Sequence, residues 1–244
     1  MDILLYEKPH RISLIDYDLF VDGTKHSRTT RSAGQLVNVL RNPRSAIGME
    51  SHDVYYMYRA VARSDDLRFD VTAISPQKIG DEFPKTFGHY HPIGEDGLAY
   101  PEIYQVLSGN ATFILQKMNS DETTDVIIVS ANQGDRVLLP PGYGHVSINS
   151  GGGALVLKNI VYDKFESNYD EYRKNRGAAI YYLSDRSIAQ NSAYVIKNIE
   201  RLSVTELNKK LGFSCKDLLS ELTNDPKKFE FLKSPKLLPG FARI

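Results

Sequence analysis

With 244 residues and 30 basic side chains balanced by 30 acidic ones, the chain has a formal net charge of zero. It carries neither the basic stripe that nucleic acid demands nor an acidic tail, and its length allows a sizeable core in one domain or a domain with an appendage. No apolar run approaches bilayer length, Met1 to Glu7 lack a basic and then apolar leader pattern, and the single Cys215 excludes an intrachain disulfide. The expectation is a protein of the reducing cytoplasm with no nucleic-acid or membrane partner.

In chain order, segments 34–40 and 53–62 fit either short helices or strands, because periodicity does not decide between them. From Leu67 to Tyr162 short extended segments alternate with turns. Arg68 to Ile74 alternates and breaks at Ser75-Pro76. Glu102 to Leu107 reaches Ser108-Gly109-Asn110, a hairpin signal, and Ala111 to Gln116 returns. Val126 to Val129, Arg136 to Leu139, His145 to Asn149 and Ala154 to Val161 follow, punctuated by Gln133-Gly134-Asp135, Pro140-Pro141-Gly142 and Gly151-Gly152-Gly153. Strands this short and even predict a mainly β protein, an antiparallel sandwich or small barrel. The tail carries helix signals: capping-box forms at Ser203 to Glu206 and Ser214 to Asp217, a stop at Gly212, and Asp225-Pro226 as cap and first helical residue. The predicted organisation is a barrel with N-terminal strands or helix over 1–170, and a helical extension over 171–244 packed on it.

The chemistry concentrates in Gly88-His89-Tyr90-His91, in Glu102, and in Pro140-Pro141-Gly142-Tyr143-Gly144-His145. Strand residues i and i+2 project to one face, so His89 and His91 point together, and Glu102 and His145 can join them from neighbouring strands. Three imidazoles and a carboxylate suit Fe(II), Mn, Ni or Zn rather than Ca or Mg, which take all-oxygen shells. His10, His26 and His52 show no such spacing and read as surface or hydrogen-bonded side chains. Cys215 reads as a buried or idle thiol.

Gly80 to His91, Pro101-Glu102-Ile103-Tyr104 and Pro140 to His145 resemble the archaeal-type cupin glucose-6-phosphate isomerases, over roughly residues 28–170. The resemblance implies a cupin-type antiparallel β-barrel, a homodimer, one divalent metal per subunit (Fe2+ first, then Mn2+, Ni2+ or Zn2+) and no nucleotide cofactor. It implies interconversion of glucose 6-phosphate and fructose 6-phosphate. By matching positions, the metal ligands fall on His89, His91, Glu102 and His145. Phosphate and sugar contacts fall on Thr72, Thr86 and Gly88, with pocket tyrosines at Tyr104 and Tyr169 and looser matches at Tyr55 and Tyr162. Two departures stand out: a longer loop from Pro92 to Pro101, and Glu166-Ser167-Asn168-Tyr169 where the family carries a histidine.

Aldose–ketose isomerisation through an enediol needs a base for the C2 proton and stabilisation of a developing oxyanion. Glu102 is the candidate base; a metal-assisted hydride shift with Glu102 as a plain ligand is the open alternative. Thr72, Thr86, the Gly88 amide and tyrosine hydroxyls would form a neutral phosphate cradle, with Lys158 and Arg136 read as solvated surface charges. The His3Glu set equally suits a cupin Fe(II) dioxygenase, and a non-catalytic phosphosugar-binding module with the C-terminal helices as partner surface is a third reading.

Overall fold

Two sheets enclose one apolar core in the computed structural model, which describes residues 2–6, 10–94 and 96–240. The chain begins with a four-stranded meander of β1 (Asp2–Tyr6), β2 (Ile12–Ile15), β3 (Asp18–Val21) and β4 (Thr24–Lys25), which buries Ile12, Leu14 and Leu19. β5 (Thr29–Ser32) leads through α1 (Ala33–Leu36) to β6 (Asp53–Ser64) and β7 (Leu67–Ile74). The first ambiguous segment is thus helical and the second a strand. Then follow β8 (Glu102–Ser108), β9 (Asn110–Met118), β10 (Thr123–Asn132), β11 (Arg136–Leu139), β12 (Gly144–Asn149) and β13 (Leu155–Tyr162).

One sheet has the order β11-β8-β13-β7-β6-β5, and β12-β9-β10 belong to the other. Tyr104 of β8 meets Phe113 of β9 across the interior, with ring centroids 5.5 Å apart. This is the cupin-type barrel. Ser108-Gly109-Asn110 does not close a hairpin, contrary to the sequence signal. β8 pairs with β11 and β13 while β9 pairs with β10 and β12, so the chain changes sheets at Gly109. Gly109 has φ +85°, and a Cβ there would lie 2.8 Å from the Ala154 carbonyl oxygen, so the corner requires glycine.

The expected helical extension over 171–244 is corrected in its first part. After α2 (Asp170–Lys174), residues form β14 (Ile180–Tyr182), β15 (Ile188–Gln190) and β16 (Val195–Ser203), and β16 pairs with β10 in parallel as a fourth strand of its sheet. A register shift after Ile196 spaces the half-buried Ile196 and Ile199 by three, which breaks the strand alternation in the sequence. After β16 the chain turns helical at α3 (Val204–Leu211), where Ser203 and Glu206 cap reciprocally and Gly212 closes the helix at φ +64°. α4 (Leu218–Asn224) starts at Asp217, not Ser214, because the Asp217 carboxylate accepts from the Ser220 amide at 3.0 Å. Pro226 opens a 3-10 turn, and residues 241–244 of the predicted extension lie outside those described. Among the described residues no helix is long and apolar enough to cross a membrane.

Lys158 is not a surface charge. It is 0 % exposed, on the outer face of β13, with its Nζ 3.2 Å from Asp217 Oδ2 and 4.1 Å from the Tyr6 ring centroid. The Tyr6 hydroxyl donates to the same Oδ2 at 3.1 Å, so one clasp joins meander, barrel and α4. Burial lowers the Lys158 ammonium to about 8, against the opposing pull of Asp217. An unfolded lysine titrates near ~10.4, so between about pH 8 and pH 10 the unfolded chain binds more protons and this group adds stability as the pH rises. Denaturant unfolding across that window should show wild type gaining about 2–3 kcal/mol relative to Lys158→Met. Parallel profiles for the two proteins would exclude a depressed lysine.

Candidate metal centre

The segment from Lys85 to His91 runs antiparallel to β12, with bridges between Lys85 and Ile148 and between His89 and His145. His89 and His145 exchange backbone bonds of 3.2 and 3.0 Å, which sets their rings 4.4 Å apart. His91 follows on the same face, as the spacing predicts, and Glu102 enters from the first position of β8. The candidate ligand atoms of His89, His91, Glu102 and His145 all lie within 4.8 Å of one another. Two glycines permit this close approach. A Cβ at Gly144 would lie 2.6 Å from the Tyr90 ring, and one at Gly88 (φ +85°) would lie 2.5 Å from Tyr172 and 2.7 Å from Val146.

The surroundings leave the inward atoms as acceptors. The His91 Nδ1–H donates to the Tyr100 carbonyl at 2.8 Å, which turns the Nε2 lone pair inward, 3.2 Å from His89 Nε2. Glu102 Oε1 accepts from Asn159 Nδ2 at 2.6 Å, while its buried Oε2 has no hydrogen-bond partner and lies 3.4 and 3.3 Å from the Nε2 atoms of His91 and His145. Burial holds His145 down at about 4, against the pull of Glu102, and drives His89 well below its ordinary value, so both rings are neutral at pH 7. Burial works against the charge on Glu102, but His91 and His145 more than offset it and leave the carboxyl below its usual range. The neutral His89 and His145 rings, the inward His91 Nε2 and an unpartnered carboxylate oxygen fit a divalent cation in an N3O donor set.

Beside this cluster lies a cavity that is partly open to solvent. Of the predicted contacts, Tyr55, Thr72, Thr86, Gly88, Tyr104 and Tyr169 line it. The Thr86 hydroxyl accepts from the Ser147 amide at 3.0 Å, and the Tyr55 hydroxyl accepts from the Phe87 amide at 3.4 Å. Tyr162 stands apart, against Tyr100 in a neighbouring crevice. Ser167, in the departing segment, lines the cavity; Lys158 and Arg136 do not. Sequence reasoning missed Asn159, Arg59, Arg68 and Asp70, which also line it. The polar residues of Arg68-x-Asp70-x-Thr72, and Asn159 within an apolar strand, were the available signal. His10 pairs with Asp22 at 2.7 Å, His26 bonds the Ser27 carbonyl, and neither they nor His52 join the site. Burial pushes the half-buried Cys215 thiol up to about 12, as an idle thiol requires.

Residues 30–197 match the family described as Glucose-6-phosphate isomerase (GPI). The chain belongs to the glucose-6-phosphate isomerase family. Curated family members include the glucose-6-phosphate isomerases of Thermococcus gammatolerans (32% identical over 105 residues, covering 43% of this chain and 51% of that protein) and Sinorhizobium medicae (30% over 128 residues, 52% and 56%). That of Pyrococcus furiosus is 29% identical over 162 residues, covering 64% of this chain and 80% of that protein. The chain therefore spans about half the length of the first two relatives. Among solved structures, an oxalate decarboxylase of Bacillus subtilis aligns over 47% of this chain and 26% of its own, with 15% identity and a TM-score of 0.33. The family match contains all four ligand-type residues and ends within β16, so α3, α4 and the turns after them lie beyond it.

Gly88 ties the family's glycine-histidine segment to packing. Gly88→Ala should lower stability by about 2–3 kcal/mol, through strain at positive φ and overlap with Tyr172, and should weaken metal binding through its neighbour His89. Thermal unfolding and metal titration test this; a variant as stable as wild type would show that the backbone here is not confined.

Proposed function

We propose that this chain is a metal-dependent glucose-6-phosphate isomerase, interconverting glucose 6-phosphate and fructose 6-phosphate. The observation that carries the reading is the buried, unpartnered Glu102 oxygen among three imidazoles beside a polar cavity. A divalent cation held by His89, His91, Glu102 and His145 supplies Lewis-acid polarisation of the sugar carbonyl and its neighbouring hydroxyl, with Fe2+ first and Mn2+, Ni2+ or Zn2+ as alternatives. The chain's own residues do the rest. Glu102, oriented by Asn159 and only weakly held by the cation once sugar enters, takes the proton from C2 as that electron pair forms the C1–C2 double bond and the carbonyl pair moves to O1. A proton shift from O2 to O1 and return of the Glu102 proton to C1 complete the ketose. Tyr104, kept a phenol by burial and by the charge of Glu102, donates a hydrogen bond to developing negative charge on the sugar oxygens. Tyr55, Thr72, Thr86, the Gly88 amide and Tyr169 hold the phosphorylated part of the substrate, whose binding energy orients the reacting end. A homodimer acting in the cytoplasm belongs to the same reading.

Metal-loaded protein should convert fructose 6-phosphate to glucose 6-phosphate with and without oxygen, and a chelated sample should not. Oxygen uptake without isomerisation would instead favour a dioxygenase, and binding without turnover a sensor. His145→Ala should lose metal and turnover together, and full activity in a metal-free His145→Ala protein would overturn the reading. Glu102→Gln should lower kcat by about 10²–10⁴-fold if the carboxylate is the base. In D2O, wild type should then incorporate deuterium at the transferred carbon. Transfer with no solvent exchange would point to a hydride shift and leave Glu102 as a ligand.

A further inference from the structure

β6 is irregular where it borders the cavity. Its ladder with β7 pairs Tyr58 with Val71 and resumes at Ala62 with Phe69, so Arg59, Ala60 and Val61 together oppose Asp70. Ala60 has φ +57°, uncommon for a residue with a side chain. The Asp70 carboxylate fills the gap. It accepts from the Ala60 amide at 2.7 Å and from Arg68 Nε at 2.9 and 3.0 Å. Arg68 also donates to Asp163 at 2.8 Å, so its charge is shared between two carboxylates.

Arg59 is held far more loosely. Its Nη1 lies 3.4 Å from Asp70 Oδ2, its Nη2 lies 3.9 Å from the Met57 sulfur, and 47% of its side chain is exposed although it lines the cavity. Met57 pairs across the ladder with Thr72, so the guanidinium lies along the wall that carries Thr72. Arg31 and Arg173 lie against the Phe87 ring, Arg31 also against Tyr169, and neither is part of the lining.

We propose that Arg59 binds the phosphoryl group of the substrate, aimed by the Ala60 bulge that Asp70 holds open. The proposal rests on the sugar-phosphate reading above and adds one charged donor to the hydroxyls and amide of its cradle. A dianion entering a site of hydroxyls and amides alone would lose hydration without a countercharge. A guanidinium offers paired N–H donors matched to phosphate oxygens, and here they are engaged only at 3.4 Å by Asp70 and 3.9 Å by Met57. Arg59 would thereby select phosphorylated over neutral sugars.

The test is calorimetric titration of metal-loaded wild type, Arg59→Met and Arg59→Lys with fructose 6-phosphate and with fructose, alongside steady-state kinetics. Arg59→Met should weaken fructose 6-phosphate binding about tenfold or more, as loss of a charge-assisted bond implies, and leave fructose binding unchanged. Arg59→Lys should recover part of the loss. Thermal unfolding of each variant separates a binding defect from a folding one, since Arg59 is half exposed. Equal fructose 6-phosphate affinity in wild type and Arg59→Met overturns the proposal while wild-type turnover upholds the isomerase. Phosphosugar binding without turnover in wild type overturns the isomerase, and the Arg59→Met affinity still decides the role of Arg59. A wild-type protein that binds no phosphate ester overturns both.

Discussion

Four electron-rich atoms aimed at one buried point is the constraint on which the site is built. Imidazole nitrogens and a carboxylate oxygen crowd to separations near 3.3 Å around a point that a cation would fill. The fold holds them there. The His89 and His145 backbones are locked opposite each other on a ladder, the Tyr100 carbonyl fixes the His91 tautomer, and Asn159 fixes Glu102. Glycines at 88 and 144 bring Tyr172 and Tyr90 close behind the ligand-bearing backbone. Each element fixes the direction of a lone pair before any metal arrives, and this preorganisation sharpens affinity and geometry together.

A polar interior makes an unusual demand on the rest of the barrel. On β7 the inward residues are Arg68, Asp70 and Thr72, so the apolar Phe69, Val71 and Ala73 face outward and are nevertheless buried. Something must cover them. The N-terminal meander does so: the Tyr58 hydroxyl donates to the Tyr17 carbonyl, and Tyr6 lies over Lys158 beside Phe69. α4 completes the cover through Asp217. The meander and the tail are thus the means by which a barrel with a hydrophilic cavity still buries an apolar layer.

This inside-out arrangement also explains what the sequence revealed. Period two placed His89 with His91, and strand boundaries located Glu102 and His145, because those segments are regular. β16 was hidden because its register shift breaks the alternation between Ile196 and Ile199, and the turn at Gly109 looked like a hairpin because turn chemistry does not say which sheet the next strand joins. Lys158 and Asn159 sit side by side in an apolar strand, and both of its faces are covered. Reading the lysine as solvated failed for that reason, and the asparagine went unnoticed as an inward group. Arg59 lay in a segment whose periodicity was undecided, and its setting depends on a bulge that only the pairing with β7 discloses.

Charge balance binds these features into one argument. Arg59 and Arg68 are matched in the cavity lining by Asp70 and Glu102, so the lining is neutral before a cation enters. A divalent cation then leaves an excess of two positive charges, the complement of a phosphate dianion. The distribution matters as much as the total. Glu102 lies with the imidazoles, while Asp70 is committed to the Ala60 amide and Arg68, leaving Arg59 the less compensated cation. Glu102 and the guanidinium are carried on β8 and β6 of one sheet, and His145 on β12 of the other. A substrate with a reacting carbon at one end and a dianion at the other would meet a positive centre at each, which fixes both its position and its direction.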